Sequence, residues 1–475
     1  MSEKLLSLFG KEIVINKKLL KLVPSIKKVP SFCSDFLISS LIDINNPGPG
    51  IEKINKLITE NYADADKVEL IKSKIKENNR HGIIGHVRAR YDQTIDEYFA
   101  DIGALGDQGI RVSYNLISKL GDNLLTKGSY GSSIISFDPV YKIKSKMYPF
   151  VLTDFTPLQI TSINLDQFIN NRSQFDLEEW IDIIINSIGF NPEYLSFDEK
   201  MFYIIRLLVF VEPNLNIIEL GGVETGKTYT YRNVSGYSFI ISGAQITSAS
   251  LFYNKLRKKI GVIGHSDVVV FDEIAHANFS NQDDLINILK DYLNDGKFSR
   301  GDINFSSEAS IVFIGNIDCI KETKSVQKYY RHLLSPLPRS INNDRAFLDR
   351  IHGYLPGWIA PKISESMMSS NYAFMSDYLS EIFHILRSRD YTNIILSRIS
   401  FKNMSFRNQK SIVKMSSALI KLLFPNKNSK SISKEELKFI IDQAIDLRKR
   451  ITDQLAIISP GEFSNISFDY EIKNV

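Results

Sequence analysis

The stretch Asn214-Leu-Asn-Ile-Ile-Glu-Leu-Gly-Gly-Val-Glu-Thr-Gly-Lys-Thr-Tyr-Thr-Tyr-Arg-Asn-Val234 decides how the chain is read. Its apolar run, Leu215 to Leu220, predicts a strand. The strand leads into Gly221-Gly222-Val223-Glu224-Thr225-Gly226-Lys227-Thr228, the G-x-x-x-x-G-K-[ST] pattern of a phosphate-binding P-loop. The glycines let the backbone curl until its N–H groups face phosphate oxygens, and the following helix presents its positive end. Lys227 is expected to reach the β- and γ-phosphates, and Thr228 to offer a hydroxyl to Mg²⁺. Residues Gly221 through Thr228, with Tyr229 after them, form the expected nucleotide site, with ATP and Mg²⁺ as ligands.

A second motif lies downstream. In HSDVVVFDEIAHAN (265–278) four apolar residues, Val268 to Phe271, precede Asp272 and Glu273. A buried parallel strand ending there brings both carboxylates beside the loop. Asp272 is then a metal-side carboxylate, and Glu273 orients and polarises the attacking water. A third apolar run, ASIVFIGNID (309–318), ends at Asn316, where Gly315-Asn316 is also good turn chemistry.

These motifs, in this order, resemble AAA+ ATPases. Three longer segments, 251–275, 289–317 and 347–358 (the last FLDRIHGYLPGW), are similar to the BrxL family, the Lon-related ATPases of bacteriophage-exclusion (BREX) defence systems. The similarity is close over about 195–460 and looser before it. It implies an α/β fold: a P-loop AAA+ core with a parallel sheet sandwiched by helices, a helical lid, and an N-terminal mixed α/β DNA-binding module. The expected boundaries are 1–139 for that module, 140–197 for a connecting region, 198–360 for the core, 361–460 for the lid and 461–475 for a tail.

The resemblance also implies an ATPase that forms a hexameric ring, possibly with stacked rings. It would bind double-stranded DNA, work with other BREX components and act in phage restriction as a translocase or clamp. Asn316 would sense the γ-phosphate. Arg350, with Arg345 as the fallback, would act as an arginine finger toward a neighbouring subunit; a surface salt bridge with Asp344 or Asp349 is the plainer alternative. Arg407, opening a lid helix, resembles sensor 2, or is a solvated first-turn arginine. KFSRGDINFSSEAS reads as a hairpin whose Lys297 and Arg300 meet DNA phosphates in a channel, or as an ordinary surface hairpin. Longer members carry a Lon-protease-like domain. Here the sequence ends at Val475 after a short tail, so peptidase activity is not expected. An ATP-gated DNA-binding scaffold with slow turnover, and a peptide unfoldase with a separate protease, are the competing readings.

The remaining sequence bounds these readings. The chain has 475 residues, 43% of them hydrophobic and 24% charged, which excludes wholesale disorder. Lys and Arg outnumber Asp and Glu by 58 to 54, so net charge alone argues no polyanion partner. Two cysteines, Cys33 and Cys319, cannot build a disulfide framework or a four-cysteine metal site. Seven scattered histidines suggest no zinc centre. No apolar run has the length of a signal peptide core or a membrane span, so a soluble cytoplasmic protein with no membrane partner is expected. Residues 1–30 hold seven Lys and two Glu and read as a solvated arm or a polyanion contact. Helical spacing recurs in 31–42, 51–62, 64–78 and 175–190, and LFYNKLRKKIG (251–261) reads as a helix with Lys255, Arg257, Lys258 and Lys259 on its solvated side.

Overall fold

The computed structural model describes the chain except residues 1, 44–45, 63–66, 127, 159–162, 243–244, 256–258, 277, 280–281, 301–302, 321, 465 and 474–475. The chain divides into two compact units, residues 2–163 with 370–379, and residues 164–369 with 380–475.

In the smaller unit five strands close into a barrel: β1 (Arg80–Asp92), β2 (Glu97–Ile102), β3 (Gly106–Val112), β4 (Ser129–Phe137) and β5 (Phe150–Pro157). Their order around it is β1-β2-β3-β5-β4, antiparallel throughout except for the parallel pair β3–β5. Helix α1 (Tyr114–Thr126) links β3 to β4. Alternation along β1 turns Val87 and Ala89 inward and Arg88 and Arg90 outward. Closure leaves no open sheet edge. The barrel extends past residue 139, because β5 pairs with both β3 and β4.

The lysine-rich start is folded, contrary to the expectation of a solvated arm. Ser2–Phe9 is helical, and Val14–Asn16 pairs antiparallel with Tyr372–Phe374. Between the lysines lie Leu5, Phe9, Val14 and Ile15, all buried, and their burial outweighs the charge that the composition emphasises. Lys17 itself is buried, 2.5 Å from the Asp35 carboxylate, which also accepts from Ser376 N and Oγ at 2.8 and 2.6 Å.

The larger unit is built on a five-stranded parallel sheet: β6 (Ile217–Gly221), β7 (Ser238–Ser242), β8 (Val268–Asp272), β9 (Ser310–Asn316) and β10 (Gly353–Pro356), in the order β7-β8-β9-β6-β10. The central strands are covered on both faces, which is why they read as unbroken apolar runs rather than as alternation. Helix α2 (Phe197–Arg206) starts at a capping box of Ser196 and Glu199. Helix α3 (Lys227–Asn233) follows β6. Toward the C-terminus α4 (Phe406–Leu423) and α5 (Lys434–Ile458) pack together, α5 opening on a capping box of Ser433 and Glu436. Arg448, wholly buried on α5, donates to Asn408 Oδ1 at 2.8 Å and Asp349 Oδ1 at 2.6 Å.

Among the described residues the expected helix over 251–261 does not form. A short helix, Ser248–Leu251, is followed by Tyr253–Asn254 pairing with Lys259–Ile260. Leu251 and Phe252 turn into the core there. Lys255 is exposed; Arg257, Lys258 and the Lys259 side chain lie outside the described residues. Among the described residues no helix is long and apolar enough to cross a membrane.

Candidate functional site

Parallel pairing sets the site. Asn316 at the end of β9 is the register partner of Gly221 at the end of β6, and Asp272 ends β8 on the far side of β9. Three chemically loaded strand ends therefore open on one edge of the sheet, where parallel α/β folds bind ligands. The Gly221–Thr228 segment leaves β6 as a tight turn. Gly226 has φ of +74°, in the left-handed region that favours glycine.

Lys227 is 9% exposed, and its ammonium donates to the Gly222 carbonyl at 2.6 Å and the Gly221 carbonyl at 3.2 Å. Burial lowers its pKa from the ordinary value; the Arg206 guanidinium adds to this, and the Glu219 and Asp272 carboxylates oppose it. Thr228 Oγ1 donates to Asp272 Oδ2 at 2.9 Å. A hydroxyl and a carboxylate side by side are hard oxygen donors, the set that suits Mg²⁺ rather than a softer metal.

Glu273 is exposed, with φ of 53°, and its N–H donates to Asp272 Oδ1 at 2.8 Å. A left-handed glutamate costs on the order of 1–3 kcal/mol and persists where its surroundings demand it. The strain turns the chain sharply just past β8 and leaves the Glu273 side chain in solvent. Asn316 is exposed likewise. Of the remaining loop residues, Val223 is 55% exposed and Glu224 pairs with Lys362. Tyr229 packs its ring 5.8 Å from Phe190.

The arginines lie apart from this group. Arg350 caps the short helix Arg345–Asp349 just before β10, with Nη1 donating to the Ala346 carbonyl at 2.6 Å. Arg345 donates to Ser459 Oγ at 3.1 Å and Glu462 Oε1 at 2.6 Å. Arg407 pairs with Asp349, the carboxylate that Arg448 also holds, and not with a group of the glycine turn. The hairpin Lys297–Arg300 and Ile303–Ser306 forms as expected. Phe298 and Phe305 stack at 5.2 Å on its inner side, while Lys297 is 73% exposed on the other. The Arg300 side chain lies outside the described residues.

One pair at the site escaped the sequence reading. Glu219 stands inside the strand read as apolar, and it is bonded to Arg206 of α2, both without exposed surface. The signal was present: a carboxylate within a fully covered strand requires a buried cation somewhere in the fold.

A family model described as "Lon-like protease BrxL-like, ATPase domain" matches residues 150–469. A second, "BREX system Lon protease-like protein BrxL N-terminal", matches residues 7–137. The chain is 33% identical over 462 residues to the Lon-like protease BrxL of Bacillus cereus (strain H3081.97), covering 96% of this chain and 67% of the relative. It is 32% identical over 461 residues to the Lon-like protease BrxL of Escherichia coli O9:H4 (strain HS), covering 96% of this chain and 65% of that protein. The chain thus spans about two thirds of the length of these relatives.

Proposed function

The chain belongs to the BrxL family of BREX systems, and we propose that it is a Mg²⁺-dependent ATPase that assembles into rings, binds double-stranded DNA and couples ATP hydrolysis to phage restriction. The observation that carries the ATPase reading is the contact of Thr228 with Asp272 at 2.9 Å, one residue from Lys227 and one from Glu273. It supports a site in which hydroxyl and carboxylate hold Mg²⁺, whose charge would neutralise the phosphate oxygens.

In this reading the turn's N–H groups and the Lys227 ammonium bind and orient the β- and γ-phosphates. Glu273 orients a water in line with the γ-phosphorus. The water oxygen bonds to phosphorus as the bond to the β–γ bridging oxygen breaks, giving ADP and phosphate. Asn316, at the end of the neighbouring strand, is suited to hold that water or a γ-oxygen. Arg350 is proposed as the group that a neighbouring copy supplies against charge on the transferring phosphoryl group. Arg345, engaged with Glu462, is the weaker candidate for that contact, and Arg407, proposed as the sensor 2 arginine of the lid, is engaged with Asp349.

The DNA reading is supported by the exposed Lys297 and by the barrel. Small five-stranded barrels are a recurrent scaffold for oligonucleotide binding. On its outer side Arg90 lies 3.4 Å from Asp92, and Arg111 lies 3.3 Å from Asp138 and stacks over Tyr141.

Equilibrium binding of ATP tests the site. Lys227→Ala should weaken ATP binding at least about 100-fold, since the phosphates lose their side-chain cation from a partly desolvated position. Binding equal to the wild type's would remove Lys227, and with it the loop, from the nucleotide site.

A further inference from the structure

Glu219 lies in the middle of buried β6 and Arg206 at the last position of α2. Arg206 Nε is 3.2 and 3.1 Å from the two Glu219 oxygens, and Nη2 is 2.6 Å from Oε1. Two apolar side chains of similar volume would serve the core as well as such a pair, so stability alone does not account for it. The guanidinium reaches further than its carboxylate. Nη2 also donates to the Thr225 carbonyl at 3.0 Å, and Nη1 to Thr230 Oγ1 at 3.4 Å. Tyr231 Oη donates to Glu219 Oε2 at 3.2 Å. One buried cation therefore ties together β6, the glycine turn and α3.

The bond to Thr225 has a geometric consequence. The Thr225–Gly226 peptide is planar and trans, so its carbonyl and its N–H point in opposite directions. Arg206 draws the carbonyl to the buried side. The Gly226 N–H is thereby turned outward, toward the side where phosphates would lie. We propose that Arg206 is a positioning residue for nucleotide binding: anchored on Glu219, it fixes the Thr225–Gly226 peptide plane and so presents a preformed N–H to a phosphate oxygen. This rests on the reading of Gly221–Thr228 as an ATP site. The contact it prepares is the same before and during phosphoryl transfer, so it governs affinity rather than the chemical step.

Arg206→Lys keeps the charge but replaces the planar fork by a single ammonium, which does not hold Glu219 and the Thr225 carbonyl in one plane. Steady-state hydrolysis by the full chain should show KM for ATP raised about tenfold, the equivalent of one ordered hydrogen bond, with kcat within about twofold of wild type. Glu219→Gln, which keeps the volume and an acceptor for Arg206, should raise KM in the same direction by less. A purely structural pair gives the opposite split: kcat falls with the folded fraction and KM stays put, which overturns the proposal. Where Arg206→Lys does not fold, Glu219→Gln carries the test, and failure of both to fold overturns the proposal in favour of a scaffold role. A wild type that binds no ATP removes the ATP reading itself, an outcome separate from a wild type that binds and a variant that behaves identically.

Discussion

His352, immediately before β10, is buried, and its Nδ1 accepts a hydrogen bond from the Asn216 N–H at 3.0 Å. That bond requires a bare Nδ1, so the folded ring is neutral. Burial, assisted by the Lys414, Arg448 and Lys410 cations, holds its pKa well below the ordinary 6.5. The sign follows from linkage. Above about pH 6.5 the ring is neutral folded or unfolded and nothing is lost. Below it the unfolded chain takes up a proton that the fold refuses, and stability falls by about 1.4 kcal/mol per pH unit until the folded pKa is reached. His352→Asn, which keeps an acceptor without titrating, should flatten the loss of denaturant stability between about pH 6.5 and 5. An unchanged slope would exclude His352 as its source. At this scale the grouping of Thr228, beside Lys227, with Asp272 was legible in the sequence, because a strand, glycine turn and helix start, and an apolar run ending in carboxylates, are local patterns. His352, Arg206 and Glu219 were not, because their partners come from other elements and no local pattern announces them.

The hairpin Lys297–Ser306 was legible as an element, since Gly296 and Gly301 flank its first strand. Gly296 has φ of +76°, and a Cβ there would lie 2.5 Å from Asn214 Nδ2, so the turn into the hairpin depends on glycine. Phe298 and Phe305 fasten it to the core while Lys297 faces water. Replacing Lys297 and Arg300 together by Ala should weaken duplex binding about equally across sequences. The slope of log affinity against log salt should become shallower by about two, because about 0.9 of a counterion is released per phosphate contact. Basal ATP turnover should stay near wild type. Salt titrations by fluorescence anisotropy read both effects, and an unchanged slope would assign duplex contact to other residues. In the larger unit the helix read from apolar spacing over 175–190 was equally legible, and it forms as Leu177–Ser187 behind a capping box of Asp176 and Glu179. In place of the supposed helix over 251–261, Tyr253–Asn254 pairs with Lys259–Ile260, and Gly261 packs against the Leu251 backbone.

For the molecule as a whole, the parallel sheet was legible because strands covered on both faces read as apolar runs ending in polar residues. The barrel was not, since closure rests on a parallel β3–β5 pairing that alternation cannot reveal. Nor was the folded N-terminus, whose Lys17 meets Ser376 across 359 positions of sequence. The matches at 7–137 and 150–469 set both regions in one family. In the proposed function the Gly221–Thr228 turn and Asp272–Glu273 hydrolyse ATP on DNA in the service of phage restriction. Phosphate release by the purified full chain, measured with and without duplex DNA beside Glu273→Gln, tests it most directly. The wild type should show Mg²⁺-dependent release that rises with duplex, and Glu273→Gln should release phosphate on the order of 100-fold more slowly despite intact ATP binding. Equal release by the two proteins, or wild-type release indifferent to Mg²⁺ and to DNA, would contradict it.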